Sequence, residues 1–288
     1  MTATEAIPTA PRFEWRQILA NRDGKVGFVL TFVMVLIIAV GPFMAPYPPN
    51  AINLTAPNSP PSLLFLLGSD HLGRDVLSRV LCGGRSILLI PLVSVALAYS
   101  TAGLISIVAA YRGGWADIVI SRICELLMSL PSLLKTLVLV AAFGPSVPVL
   151  IAAITISNMP GAARVARGAV MAQVGVDYIL AAQARGEGTM SIVVREILPN
   201  IVGPVAADIT LRVTWAIIAL STLSFLGLGV QPPGPDWGLM IQEARSTLQQ
   251  APLVAVVPAC AIATLSIGLN FCADAVVRFI SGGDRRPS

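Results

Sequence analysis

The sequence predicts an all-α polytopic membrane protein: six transmembrane helices and a helical loop on the cytoplasmic side. Three observations predict it. Hydrophobic residues make up 55% of the 288-residue chain and charged residues only 12%, about half the charged share of a water-soluble domain. The mean hydropathy is +0.80. The apolar residues also gather into runs long enough to cross a bilayer, separated by polar stretches that hold most of the charge.

The elements follow in chain order. A mostly polar tail (1–25) precedes a first apolar run too long for a cleavable signal, so Val26–Met44 reads as an uncleaved span. The second span is expected at Ile87–Tyr111 and the third at Ile118–Phe143, kinked at Pro131. The fourth runs from Val147 to Ala163, the fifth from Val205 to Leu228, and the sixth from Leu253 to Ala273. A membrane domain at 26–280 is thus expected between tails at 1–25 and 281–288.

An even number of spans puts both termini on one side, and Lys and Arg choose the side. With the termini inside, the inner segments hold Arg12, Arg16, Arg22, Lys25, Arg112, Arg122, Arg164, Arg167, Arg185, Arg195, Arg278, Arg285 and Arg286. The outer ones hold only Arg74, Arg79, Arg85 and Arg245. The net charge of +4 is too small and too dispersed for a nucleic-acid partner.

Between the first two spans, "APYPPNAINLTAPNSPPS" (45–62) lacks helical period and is rich in Pro and Asn, which predicts an extended strap. The next stretch, 68–85, reads as a short amphipathic helix. Val76, Leu77, Val80 and Leu81 share its apolar face, and Asp70/Arg74 and Asp75/Arg79 form i,i+4 pairs on its polar face.

Several chemistries find no support. No G-x-x-x-x-G-K-[ST] loop is present, since Gly24–Lys25 has no glycine at the required distance ahead of it. The single histidine, His71, would have to serve any Ser-His-Asp site from a short surface helix. Asp70, His71 and Asp75 have arginine neighbours, so they read as a satisfied helix start rather than a metal site. Cys82, Cys124, Cys260 and Cys272 make no disulfide framework and read as small core residues.

Charges within spans call for an account. Lys135 lies ~10 Å of helix rise from the outer end of the third span. It either snorkels to the headgroups or lines a pathway as a cation for an anionic group. Asp208/Arg212 and Asp274/Arg278 have i,i+4 spacing and are expected to pair.

The inner stretch "AAQARGEGTMSIVVREILPN" (181–200) concentrates charge in an otherwise apolar chain. It reads as two short helices, Asp177–Arg185 and Thr189–Ile197. Gly186 breaks them in a left-handed conformation, Thr189 caps the second and Pro199 stops it. Ala181, Ala182 and Ala184 keep the first helix slim, so that another surface can approach.

This stretch resembles the cytoplasmic "EAA" coupling loop of ATP-binding-cassette importer permeases, with Gly186 as its glycine and Leu198–Pro199 as its closing pair. Leu180 and Arg185 stand where that family usually carries an acidic and an aliphatic residue. "LGSDHLGRDVLSRVL" (67–81), with Asp70, Gly73, Arg74 and Asp75, is similar to the outer-segment signature of the C-type permease in dipeptide, oligopeptide and nickel importers. "LSFLGLGVQPPGPDWGLMI" (223–241) resembles the segment after that family's fifth span.

The resemblance implies an importer of two related, non-identical permeases, two cytoplasmic ATPase subunits and an extracytoplasmic substrate-binding protein in a bacterial cytoplasmic membrane. This chain would be one permease, surrounded by membrane lipid, with no catalytic residue and no cofactor of its own. ATP and Mg would sit on the ATPases, which would dock on Ala181, Ala182, Arg185, Gly186, Glu187, Leu198 and Pro199. Dipeptides, longer peptides, nickel chelates, haem and glutathione are all compatible substrates. Two alternatives stand beside it. One is an ion-coupled secondary transporter, for which Glu125 is the only well-placed acid and no internal repeat is evident. The other is a membrane scaffold without transport.

Overall fold

The structure is a computed structural model that describes residues 22–280. Of the expected tail at 1–25 only Arg22–Lys25 fall within it, and 281–288 lies outside the described residues. The described residues form helices joined by loops, and the one β-contact among them is an isolated bridge between Ser69 and Asp75.

Helix α1 (Arg22–Met44) buries Gly24, Gly27, Met34, Ile38 and Gly41 on one face. Its remaining surface, including Phe28, Val29 and Phe32, is exposed and apolar as a lipid-facing helix requires. Small residues let it approach the last helix, α11 (Leu253–Ile280, labelled ahead of its turn). A Cβ at Gly27 would lie 2.6 Å from Phe271 Cβ, a close approach of the kind that joins helices in lipid. The two helices also meet at their ends, where Arg278 Nη1 lies 2.8 Å from Asp23 Oδ2. The expected Asp274–Arg278 pair does not form, because the neighbouring helix offers Arg278 a carboxylate.

Helix α2 (Val76–Ala98), a π turn (Tyr99–Gly103) and α3 (Leu104–Arg112) make one continuous 37-residue span. It begins eleven residues before the expected start because the stretch read as an amphipathic helix divides at Asp75. Residues after that point extend the span, and those before it form turns. Asp75 is the N-cap, its carboxylate accepting from Ser78 N at 2.8 Å.

The expected third span is two helices, α4 (Gly114–Met128) and α5 (Ser132–Phe143), bent by 83°. Pro131 takes φ −55°, ψ 130°, an extended conformation that ends a helix instead of kinking it. Lys135 Nζ donates to Leu127 O at 2.7 Å and so covers a carbonyl at the end of α4 that the break leaves without a helical donor.

Helix α6 (Val147–Met171) is central and touches α2, α3, α4, α5 and the long helix α9 (Leu198–Phe225). Its polar side chains join neighbours inside the bundle: Thr155 Oγ1 donates to Ser94 O at 3.2 Å, and Thr136 Oγ1 and Ser157 Oγ share a hydrogen bond at 2.8 Å. Between α6 and α9 lie α7 (Asp177–Ala184), α8 (Thr189–Ile192) and a π turn (Val193–Ile197). Helix α10 (Trp237–Glu243) precedes α11. Among the described residues, five helical runs are long and apolar enough to cross a membrane, and the bent α4–α5 pair makes a sixth crossing if it counts as one.

There are two apolar cores. The larger fills the bundle around Ile87, Ile154, Ile217, Leu220, Leu223 and Trp237. The smaller, around Ile107, Val170, Ile179, Ile192 and Ile197, gathers at the end where α3, α6 and the α7–α8 segment meet. All four cysteines are free; Cys260 is exposed and the others half-buried, so they are not core residues as expected.

Candidate functional site

The α7–α8 segment is a compact knob rooted in the smaller core. Ile179 and Ala182 on α7 and Ile192 on α8 are fully buried there. Ala182 therefore serves the knob's own interior, whereas Ala181 and Ala184 face outward as expected. Gly186 has φ +75°. Its N–H donates to Gln183 O at 2.9 Å and the Glu187 N–H to Ala182 O at 3.2 Å. These two bonds close the end of α7 in a Schellman motif, which needs a left-handed residue.

Glu187 is held in place by Arg185 Nη2 at 2.7 Å and Ser191 Oγ at 3.2 Å. The hydrogen bond from Arg185 holds its carboxyl below the usual glutamate range. Thr189 does not cap α8, for Gly188 occupies the N-cap without a side-chain bond. Nor does Pro199 stop the helix, since residues 189–225 run on as one 37-residue element. Pro199 has no N–H to donate, and the wider turn at Val193–Ile197 just before it takes up the irregularity. Leu198 is half-buried against the smaller core. The outer surface of the knob thus presents Leu180, Ala181, Ala184, Arg185, Gly186, Met190 and Val194.

The α4–α5 break opens a cavity of about 550 Å³, walled by Lys135, Thr136, Ser157, Asn158, Arg212 and Trp215 among others. Lys135 is folded back on the end of α4 and lies on the cavity wall. The expected Asp208–Arg212 pair forms, and Tyr99 OH donates to the same carboxylate. Arg212 lies over Gly161, where a Cβ would come within 2.3 Å of Nη1. Neither Tyr99 nor Gly161 was legible as a partner, because nothing local to either residue in sequence points to Arg212.

At the opposite end, charges expected on an exposed helix face are buried. Asp70 Oδ2 accepts from Arg74 Nε at 2.6 Å and from Arg79 Nη1 at 2.5 Å. Both arginines also reach Glu243 Oε2 at 2.8 Å. Asp70 and Arg79 are each 1% exposed. Burial pushes the Asp70 carboxyl up, but the N–H groups of Arg74 and Leu72 and the Arg74 guanidinium outweigh it, leaving it below the usual aspartate range.

Gly73 has φ +68° and lets the strap cross it, a Cβ there meeting Thr55 O at 2.3 Å. Glu243 was not singled out from sequence, since its partner Arg79 is 164 positions away. Asp236 and Trp237 complete the outer assembly, the indole N–H donating to Val80 O at 2.8 Å and Ser86 Oγ to Asp236 Oδ2 at 2.8 Å. Asp70, His71 and Glu243 bring potential ligand atoms within 4.8 Å of one another. The carboxylate oxygens already receive arginine donors, so the cluster is an ion-pair network and a poor cation site.

Comparison with known proteins agrees with this architecture. Residues 102–283 match the family described as binding-protein-dependent transport system inner membrane component. Residues 14–61 match the N-terminal TM domain of oligopeptide transport permease C. The chain is 32% identical to the dipeptide transport system permease protein DppC of Haemophilus influenzae, over 93% of each chain. It is 35% identical to the di/tripeptide transport system permease protein DppC of Pseudomonas aeruginosa, over 92% of this chain and 90% of that one. It is 33% identical to the glutathione transport system permease protein GsiD of Pectobacterium atrosepticum, over 94% and 90%.

Among solved structures, an inward-facing MetNI methionine ABC transporter chain aligns with TM-score 0.57 at 18% identity, over 71% of this chain and 96% of that one. That likeness speaks to the fold. The chain belongs to the family of binding-protein-dependent transport system inner membrane components and is a multi-pass transport permease.

Proposed function

We propose that this chain is one of two non-identical permeases of an ATP-driven importer and forms half of the pathway for short peptides. The observation that carries the substrate class is that relatives matching nine-tenths of the chain are named for dipeptides, di/tripeptides and glutathione, all short peptides. ATP and Mg belong to two partner ATPase subunits, and an extracytoplasmic binding protein delivers the solute.

The knob at 177–197 suits the docking role. It is rooted in its own core and exposes apolar residues (Leu180, Met190, Val194) beside small and charged ones to a partner. The Lys and Arg distribution supports placing it and both termini in the cytoplasm. The cavity at the α4–α5 break, with Lys135 on its wall, is the candidate pathway surface. ATP drives transport by favouring one of two permease states, through its unequal affinity for them.

The test is reconstitution of this permease with its sister permease, ATPase subunits and binding protein in proteoliposomes. Binding-protein-dependent, ATP-dependent uptake of a labelled dipeptide or glutathione is expected. Uptake that persists without ATP under an ion gradient would overturn the reading in favour of secondary transport.

A further inference from the structure

A second cavity, of about 240 Å³, lies apart from the pathway candidate, between α3, α4 and α6. Its lining includes Ser106, Ser121, Glu125, Arg164 and Arg167. Two of its features lack a partner within the chain. The Oγ atoms of Ser106 and Ser121 are buried and accept or donate no hydrogen bond among the described residues. Helical serines commonly bond back to the carbonyl one turn earlier, as Ser94 does to Ile90 O at 2.7 Å. Ser106, only 2% exposed, does not.

The second feature is charge. Arg167 is held by Asp117 through two hydrogen bonds of 2.7 Å. Glu125 is held by Arg122 at 2.7 Å. Arg164 has no carboxylate partner among the described residues, so these groups carry one excess positive charge. A cavity with a spare guanidinium and a second guanidinium beside it is complementary to a phosphate group, and the two unpartnered hydroxyls lie buried in its wall.

Position selects the source of that phosphate. Arg164 lies seven residues before the end of α6 at Met171, about 10 Å along the helix axis. The cavity therefore sits near the membrane interface on the side of the knob. Trp115, 81% exposed, opens α4 at that end, and Ile118, Ile123 and Leu126 continue an exposed apolar surface along α4. Tryptophan marks the headgroup level, and basic pockets between helices on the cytoplasmic side receive anionic headgroups. We infer that this cavity binds the phosphodiester headgroup of an anionic phospholipid of the inner leaflet, whose acyl chains lie along the apolar face of α4.

The experiment is native mass spectrometry of the purified, delipidated permease complex, offered phosphatidylglycerol, phosphatidylcholine or inorganic phosphate. Wild type is expected to retain phosphatidylglycerol in preference to phosphatidylcholine. Arg164→Gln is expected to weaken phosphatidylglycerol retention by about fivefold, the effect of one basic residue near a charged headgroup. Ser106→Ala removes a hydroxyl that has no partner and is buried in the wall, so the fold should hold and retention should change little. Arg245→Gln, at the opposite end of the molecule, should leave retention unchanged.

Equal retention of the two lipids, or undiminished phosphatidylglycerol retention in Arg164→Gln, would overturn the inference. Displacement of the lipid by millimolar inorganic phosphate would reassign the cavity to free phosphate and overturn its lipid source. Lipid binding only to the isolated permease and not to the assembled complex would assign the face to the sister permease instead.

Discussion

Arg79 on α2 and Glu243 on α10 meet at 2.8 Å across 164 positions of sequence, in a site where Arg79 is 1% exposed. The contact joins the first turn of the second span to the short helix before the last one. Asp70 and Arg74 complete a neutral set of two carboxylates and two guanidiniums. Removing one partner leaves a buried charge unbalanced, which costs about 3–5 kcal/mol. Glu243→Gln should therefore lower the melting temperature of the purified permease and open the 68–75 loop to trypsin. Arg79→Met combined with Glu243→Leu keeps the Asp70–Arg74 pair and should recover most of the loss. A single mutant as stable as wild type would show that the network contributes little.

The same network has a pH signature. The Asp70 carboxyl is held below its ordinary value in the folded protein, whereas an unfolded aspartate titrates at about 3.9. A depressed folded pKa gives stability that is complete above the unfolded value and is lost as pH falls through the folded one. Its contribution should be constant from neutral pH to about pH 4 and decline below that. Thermal melts of wild type and Asp70→Asn across this range check it, since the variant should lack that part of the acid decline.

The position of these charges was the least legible part of the sequence. Spacing of i,i+4 for Asp70 and Arg74 reads as an exposed helical pair, and the two do meet at 2.6 Å, but across a turn that Gly73 makes possible with φ +68°. Glu243, which completes their environment, arrives through tertiary folding and leaves no local signal. The third span shows the same limit. Hydropathy is continuous through Pro131, yet the chain turns by 83° there, and the amine that covers an α4 carbonyl belongs to Lys135. Elements set by local chemistry were legible: the apolar runs, and the turn at Gly186 with its φ of +75°. Ala182 shows the boundary between the two cases, because composition marks it as small but only the fold decides that it faces Ile179 and Ile192.

Topology can be read directly by chemistry. Ser59 lies in the strap between the first two spans and Thr189 at the start of α8, at opposite ends of the bundle. With the termini inside, a cysteine at position 59 should react with an impermeant maleimide in intact cells, and one at 189 only after the membrane is opened. The native cysteines would be removed first. Labelling of both from one side would contradict the arrangement.

Lys135 offers a test of the cavity. Its ammonium satisfies Leu127 O at 2.7 Å and adds positive charge to a wall shared with Arg212. Lys135→Met keeps the apolar stem but removes both; a charged hydrogen bond of about 1.5 kcal/mol, where it is made in the rate-limiting transport state, corresponds to roughly a tenfold change in rate. Binding-protein-dependent uptake should fall by about that factor while the four-subunit membrane complex still assembles. Lys135→Arg should retain most of the uptake. Uptake kinetics unchanged in Lys135→Met would remove this residue from the pathway.

The charged stretch at 181–200 makes the sharpest claim. A segment that lay on lipid would gain from a continuous apolar stripe, yet here the exposed apolar residues Leu180, Met190 and Val194 alternate along the sequence with exposed Ala181, Ala184, Arg185, Gly186 and Arg195. Gly186 closes α7 at φ +75°, and a Cβ placed there would touch nothing else among the described residues. A side chain at this position therefore costs about 1–2 kcal/mol of backbone strain within the permease, and more when it is β-branched. Its bulk projects outward into the surface proposed to receive the ATPases. Gly186→Val should leave the permease inserted and paired with its sister, but reduce copurification of the ATPase subunits and abolish ATP-driven uptake. Gly186→Ala, with less strain and less bulk, should retain more of both. If Gly186→Val recovers its ATPases in full and transports normally, the knob is not where force enters the permease, and the docking surface must be sought elsewhere on that face.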